Sequence, residues 1–182
     1  MYLALVYFPQ IDHEGFHDFR NRYEPYAGLL REHLTFIFPV PETIGQEKLG
    51  SHIEEVIKRW PPFKVHFCHL MKTVDHWLFW TPGEGKELAV RLHDELYTEI
   101  LLPHLKTDLP YTPHIGLGLF STENYDFNDP YAELKLDTPR YQKARKEFEK
   151  LNIDLWCTVD QLALLRINSE FTECIELHRF SL

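Results

Sequence analysis

Two spacings of apolar residues alternate along this chain. Leu3 to Phe8 is a short, continuously apolar run that ends at Pro9, which predicts a buried strand. Phe16, Phe19 and Tyr23 step by three and four, predicting a helix that Pro25 ends. His33 to Phe38 follows as a strand closed by Pro39 and Pro41. Leu49, Ile53, Val56, Ile57 and Trp60 fall on one helical face, stopped by the Pro61-Pro62 pair. Phe63 to Leu70 and Val74 to Trp80 predict the strands of a hairpin, and Leu88, Leu92, Leu96 and Ile100 a helix finished before Pro103. His114 to Phe120 is the next strand. Thr138 followed by Pro139 signals the cap and first turn of a helix whose buried face is Tyr141, Ala144, Phe148 and Leu151. Strands at Leu155 to Val159, Leu162 to Ile167 and Ile175 to Phe180 complete the pattern.

No linker-like stretch interrupts this series, so residues 1–182 read as one domain. The mixed order of strands and helices predicts α+β layers with antiparallel sheets. Each half holds a strand that opens with histidine, then a loop, an amphipathic helix and a pair of strands. This suggests a duplication, although direct identity between the halves is slight.

Composition narrows the function classes. A chain of 182 residues, 44% hydrophobic and 26% charged, buries roughly 70% of its unfolded surface and needs no disulfide or metal staple. The longest apolar runs are far below the ~20 residues of a membrane-crossing helix, and the N-terminal run lacks the basic start and cleavage site of a signal peptide. Three scattered cysteines, Cys68, Cys157 and Cys174, without a C-x-x-C spacing, fit a reducing cytoplasm. Nineteen Lys and Arg stand against 28 Asp and Glu, a formal charge of -9, which works against binding duplex DNA but leaves room for a small phosphorylated ligand or a nucleic-acid end in a locally positive pocket.

The candidate chemistry lies in two segments, Glu32-His33-Leu34-Thr35-Phe36 and Thr112-Pro113-His114-Ile115-Gly116-Leu117. On a strand, His33 and Thr35 share one face while Leu34 and Phe36 anchor the other. Two such strands facing each other would set two imidazoles and a hydroxyl around a shared cleft. With an ordinary pKa of about 6.5, one histidine can act as base while the other acts as acid. The Thr35 hydroxyl can donate to a phosphate oxygen as charge builds there. Set against this is a bland reading, in which both histidines only hydrogen-bond locally at strand starts. His13-Glu14-Gly15-Phe16-His17 matches H-E-x-x-H, but it opens a short helix containing Gly15, and the expectation is no metal. His66 and His69 are expected on opposite faces of their strand, with His66 and Cys68 sharing one. Trp77, Phe79 and Trp80 read as core. Arg166 lies on the face of Leu162 and Leu164, where it either meets a phosphate or makes a structural salt bridge.

The pair of H-x-T-like strands at this separation resembles the two-histidine (2H) phosphoesterase superfamily, and within it the bacterial 2′-5′ RNA ligase-like branch. The likeness runs along nearly the whole chain: the apolar strand ending in Pro9, Arg22-Tyr23-Glu24-Pro25 before the first motif, the Phe38-Pro39 exit, and the apolar ending around Val159 to Ile167 and Ile175 to Phe180. It implies a bilobal, pseudo-two-fold α+β fold, two mainly antiparallel sheets with helices outside and a central cleft. It also implies cleavage of 2′,3′-cyclic or 2′-5′-linked phosphodiesters at nucleotides or RNA ends, or the reverse joining, without metal or cofactor. His33, Thr35 and His114 match the family's catalytic positions. Gly116 stands where the family has Thr or Ser, so either Thr112, Tyr111 or the Gly116 N–H meets the phosphate instead, or the activity is weakened. The alternatives are a nucleotide or RNA-end binding protein with a degenerate site, and a 2′-5′ RNA ligase.

Overall fold

The two spacings resolve into two four-stranded antiparallel sheets and four helices in a computed structural model that describes residues 1–107, 110–122 and 135–182. In chain order the elements are β1 (Tyr2–Tyr7), α1 (Glu14–Tyr23), β2 (Leu34–Pro41), α2 (Gln46–Ile57), β3 (Phe63–Lys72) and β4 (Trp77–Pro82). They continue with α3 (Lys86–Leu96), β5 (Ile115–Leu119), α4 (Thr138–Leu151), β6 (Leu155–Val159), β7 (Gln161–Ile167) and β8 (Cys174–Ser181). The strand order is β2-β1-β7-β8 in one sheet and β5-β4-β3-β6 in the other.

These two orders have the same form. Exchanging β1 with β4, β2 with β5, β3 with β7 and β6 with β8 turns one sheet into the other. The helices follow the same exchange and cross over. α1 leaves β1 but packs against β5 and α4, while α3 leaves β4 but packs against β2 and α2. Each sheet is therefore covered by helices from both halves of the chain, which is the pseudo-two-fold arrangement that the repeated His-bearing strands suggest.

β1 reads as continuously apolar because both of its faces are covered. Leu3, Leu5 and Tyr7 join the main core, and Val6 joins a smaller cluster with Ala163 and Leu165 on the other face. Phe16, Phe19, Phe36, Phe67 and Phe120 are the largest fully buried side chains, each contributing roughly 1.5–3 kcal/mol on removal from water.

Where the boundaries differ from the periodicity, local bonding explains it. The fourth helix is capped one residue earlier than expected: the Asp137 carboxylate accepts the Arg140 N–H at 3.1 Å, and Thr138 is already helical. Val74 lies in the hairpin turn rather than in a strand, because Thr73 binds Trp77 through both its N–H and its hydroxyl. The third helix stops at Leu96, and Ile100 belongs to a separate 3-10 turn, Glu99–His104, that takes Pro103 inside it. Among the described residues no helix is long and apolar enough to cross a membrane.

Gly116 and Gly118 look alike in sequence and sit in opposite surroundings. A Cβ on Gly118 would lie 2.8 Å from the Tyr23 Cβ and 2.9 Å from the Tyr23 carbonyl oxygen, while one on Gly116 would meet nothing within 4 Å. Gly118 is what lets α1 press onto β5. Gly118→Ala is therefore expected to cost about 1–3 kcal/mol by overpacking, with a Tm several degrees lower in thermal denaturation. Gly116→Ala should leave the Tm unchanged or slightly raised. Equal Tm values for the two variants would contradict this difference in packing.

Candidate active site

Both histidines stand one residue before an edge strand. Pairing begins at Leu34 and Ile115, so His33 and His114 occupy the thresholds of β2 and β5 rather than their interiors. Each ring is held in the same way. His33 Nδ1–H donates to the Arg31 carbonyl at 2.8 Å, and His114 Nδ1–H donates to the Thr112 carbonyl at 2.8 Å. A carbonyl only accepts, so the bond assigns the proton to Nδ1 and leaves Nε2 with its lone pair when the ring is neutral. This is local bonding, as the bland reading has it, yet it presents two equivalent nitrogens.

Burial pushes the pKa of both rings down to about 4. The carbonyl bonds oppose that shift in each. For His33 it is deepened by the positive charge of Arg20 and by the imidazole of His114. For His114 it is opposed further by Asp75. A charge on His114 is thus felt at His33: the structure brings the two predicted histidines into one electrostatic neighbourhood from opposite sheets.

Thr35 pairs with Val6, and Leu34 pairs with Tyr7. Tyr7 and Leu34 face the main core, so Thr35 lies on the opposite face, two residues beyond His33. Among the described residues its hydroxyl has no protein partner. On the other strand, Gly116 sits opposite Phe79 in register, with open space where a side chain would begin.

Tyr111 and Thr112 flank this pair. The Tyr111 hydroxyl donates to the Thr35 carbonyl at 2.7 Å, and its ring stacks on His93 at 3.8 Å with 9° between planes. Burial drives its pKa well above the usual phenol value, so it stays a donor and is already committed to β2. Thr112 contributes its carbonyl to His114. Arg166 does not join them. It pairs with Leu3, on the face opposite Thr35 and toward the far end of the sheet from His33, and lies 3.5 Å from Glu42. The salt-bridge alternative is the one realised, because one step along a strand reverses the face.

Several neighbours of the site are not evident from the sequence pattern. Phe79 is half-buried and stacks on His114 at 3.6 Å with 12° between planes, so neither it nor Trp77, also half-buried, is the core residue expected; Trp80 is. Arg20, only 4% exposed, sits in α1 beneath both strands. Its guanidinium donates to Glu24 at 2.7 Å, to Glu32 at 3.5 Å, to the Leu30 carbonyl at 3.3 Å and, from Nε, to the Gly116 carbonyl at 3.2 Å. The available signal was a charged residue four positions after Phe16 on an otherwise apolar stripe, with a carboxylate four positions further on. His93, also buried, donates from Nδ1 to the Phe36 carbonyl at 2.9 Å.

The rival motifs resolve differently. His17 turns Nε2 to the Ile11 carbonyl at 3.0 Å and Nδ1 toward Glu32 at 3.8 Å, while His13 precedes the helix. Among the described residues no group of three or more His, Cys, Asp or Glu is placed to hold a metal ion. His66 and His69, expected on opposite faces, share one, because a bulge between Phe67 and His69 shifts the alternation by a residue.

Comparison with known proteins gives the family and the fold. The family model described as the 2′-5′ RNA ligase superfamily matches residues 8–170. A search of curated proteins finds no match. Among solved structures, Escherichia coli LigT in apo form aligns over 100% of this chain and 96% of its own, with a TM-score of 0.62 at 15% identity. E. coli LigT complexed with 3′-AMP gives 0.64 at 14% identity, covering 100% of this chain and 97% of its own. The Thermus thermophilus protein TT0787 gives 0.64 at 18%, covering 100% of this chain and 98% of its own. At these identities the structures speak for the fold: two four-stranded antiparallel sheets with flanking helices. With the family model spanning nearly the whole chain, and with both histidine strands inside the match, the chain belongs to the 2′-5′ RNA ligase superfamily, the 2H phosphoesterases.

Proposed function

We propose that this protein is a phosphoesterase that opens 2′,3′-cyclic or 2′-5′-linked phosphodiesters at a nucleotide or RNA end, using His33 and His114 as its acid–base pair and no metal or cofactor. The observation that carries the reading is the matched tethering of the two imidazoles, each bound through Nδ1 and each with Nε2 left for substrate. In the reaction one neutral ring takes a proton from water as the water oxygen bonds to phosphorus. The other ring, protonated, gives its proton to the departing ribose oxygen as the P–O bond breaks. A phosphomonoester and a free hydroxyl result, and the proton taken up balances the proton given. Thr35 donates its hydroxyl to a non-bridging oxygen. The three free thiols, Cys68, Cys157 and Cys174, fit work in the cytoplasm.

In the unliganded protein both rings are neutral at pH 7, because burial holds their pKa near 4. The base is therefore ready, and the acid acquires its proton with the anionic phosphate beside it, since a nearby negative charge favours imidazolium. Productive free enzyme carries one proton on the pair, and that fraction falls as pH rises above the pair's apparent pKa values.

With 2′,3′-cyclic AMP and a chelator present, kcat/KM should form a bell whose limbs both lie on the acid side of the ordinary ~6.5 of imidazole; between pH 6 and 8 it should fall about tenfold per unit. A profile flat to pH 8 would refute the assignment. His33→Ala and His114→Ala should each lower kcat by roughly 100- to 10,000-fold, with folding intact by circular dichroism.

Gly116 favours a second reading, in which the site binds a nucleotide or RNA end without cleaving it. Gly116→Ser has room for its side chain and restores a donor worth on the order of 100-fold in rate. A gain of that size over a slow wild type supports the enzyme reading. Tight binding by thermal shift, with no turnover before or after the substitution, supports the binding one.

A further inference from the structure

We infer that Arg20 is the positioning residue of this site, a single guanidinium that sets the two histidine-bearing strands at their working separation. This inference rests on the reading of His33 and His114 as the acid–base pair. The Arg20 NH2 group reaches the Leu30 carbonyl and NH1 reaches Glu32, so the segment leading into His33 is fixed from one side of the fork. Nε reaches the Gly116 carbonyl, two residues past His114. One rigid planar group therefore touches the chain immediately before one histidine and two residues after the other, across the boundary between sheets.

The surroundings mark this as a built arrangement. Arg20, Glu24 and Glu32 are all nearly inaccessible to solvent. Burial pushes the Glu24 carboxyl up, and the Tyr26 N–H and Arg20 oppose that. A buried guanidinium with two carboxylates persists only when its hydrogen bonds are satisfied, and here three of the four described acceptors, Glu32 and the Leu30 and Gly116 carbonyls, lie against the site. Lysine cannot substitute: its donors radiate from one nitrogen and cannot span acceptors in both strands.

Arg20 also acts on His33 through charge. The groups facing His33 are Arg20 from α1 and His114 from β5, with Arg31 and Glu32 in its own segment and Glu24 and His17 around the guanidinium. The positive charge disfavours imidazolium at His33, whereas at His114 the neighbouring charge is Asp75, which favours it. Arg20 therefore separates the two rings electrically while joining them mechanically.

Two variants test this. Arg20→Lys keeps the charge and loses the fork; Arg20→Gln combined with Glu24→Gln removes the guanidinium charge together with that of the carboxylate it pairs with most closely, while leaving polar groups of similar size. For Arg20→Lys, kcat on 2′,3′-cyclic AMP should fall about 30- to 100-fold with KM within about threefold, because misplacement by ~1 Å costs rate rather than ground-state binding. The double variant should raise the His33 titration midpoint, followed by NMR of the ring Cε1–Hε1 pair, with a smaller change at His114, which feels the charge on His33. If Arg20→Lys keeps wild-type kcat, or if the double variant leaves both titrations unchanged, the inference is overturned. Should wild type turn over no phosphodiester at all, the acid–base reading falls, while the ring titrations, with inorganic phosphate as the probe of the site, still decide the role of Arg20. A group that only stabilises the fold would lower Tm and move neither ring.

Discussion

A backbone carbonyl two residues upstream holds the Nδ1 proton of each histidine, and this pair of short bonds governs what the rest of the site can be. It selects one tautomer, points Nε2 away from the strand and restricts rotation of the ring. It also requires the chain before each histidine to bend back on itself, which is why neither ring lies within a paired strand. The prolines and glycines around the two segments, Pro25 and Gly28 ahead of His33 and Pro110 and Pro113 ahead of His114, belong to stretches that leave regular structure before re-entering a sheet. Burial then lowers the proton affinity of both rings, so the same enclosure that orients the imidazoles keeps them neutral, each with a lone pair free on Nε2. An anionic substrate is the natural counterweight.

Placing these thresholds on edge strands raises a second requirement. An edge strand exposes unpaired backbone groups that invite another chain. Here the exchanged helices and the loop before β5 cover them: Tyr111, His93 and Tyr97 bind the Thr35 carbonyl, the Phe36 carbonyl and the Phe38 N–H in succession, and Arg20 binds the Gly116 carbonyl. The sheet edges are closed by side chains that also locate the catalytic candidates. Fold protection and site geometry are therefore one set of bonds, which explains why polar residues as costly to bury as Arg20 and His93 are found inside.

Much of this was legible in advance, and the limits were physical. Leu155 to Val159 fell where the pattern put it, since burial of one face decides it, while the helix predicted through Trp60 ends at Ile57 and leaves Trp60 buried just beyond it. The placement of His33, Thr35 and His114 at the openings of two strands was legible because alternation along a strand is a local rule. Arg20 and Phe79 were not, because what they touch comes from strands far away in sequence, and no short-range spacing encodes that. His66 and His69 were misplaced by a bulge, which moves a side chain to the other face without changing composition. Arg166 was ambiguous for the opposite reason: its face was right, but which end of the sheet it occupied depended on pairing with β1.

The pairing of β1 with β7 has a further meaning. Tyr2 meets Ile167, so the strand beside the first histidine lacks its inner neighbour until β7 has been made. Contacts so distant in sequence form slowly, because a long loop must close before they repay it. While the ribosome is still at work, the amino-terminal strands are left with an apolar flank uncovered, and a prematurely terminated product would lack the partner that β1 needs. The strand that carries His33 is therefore settled only once β7, more than a hundred residues further along the chain, has been made.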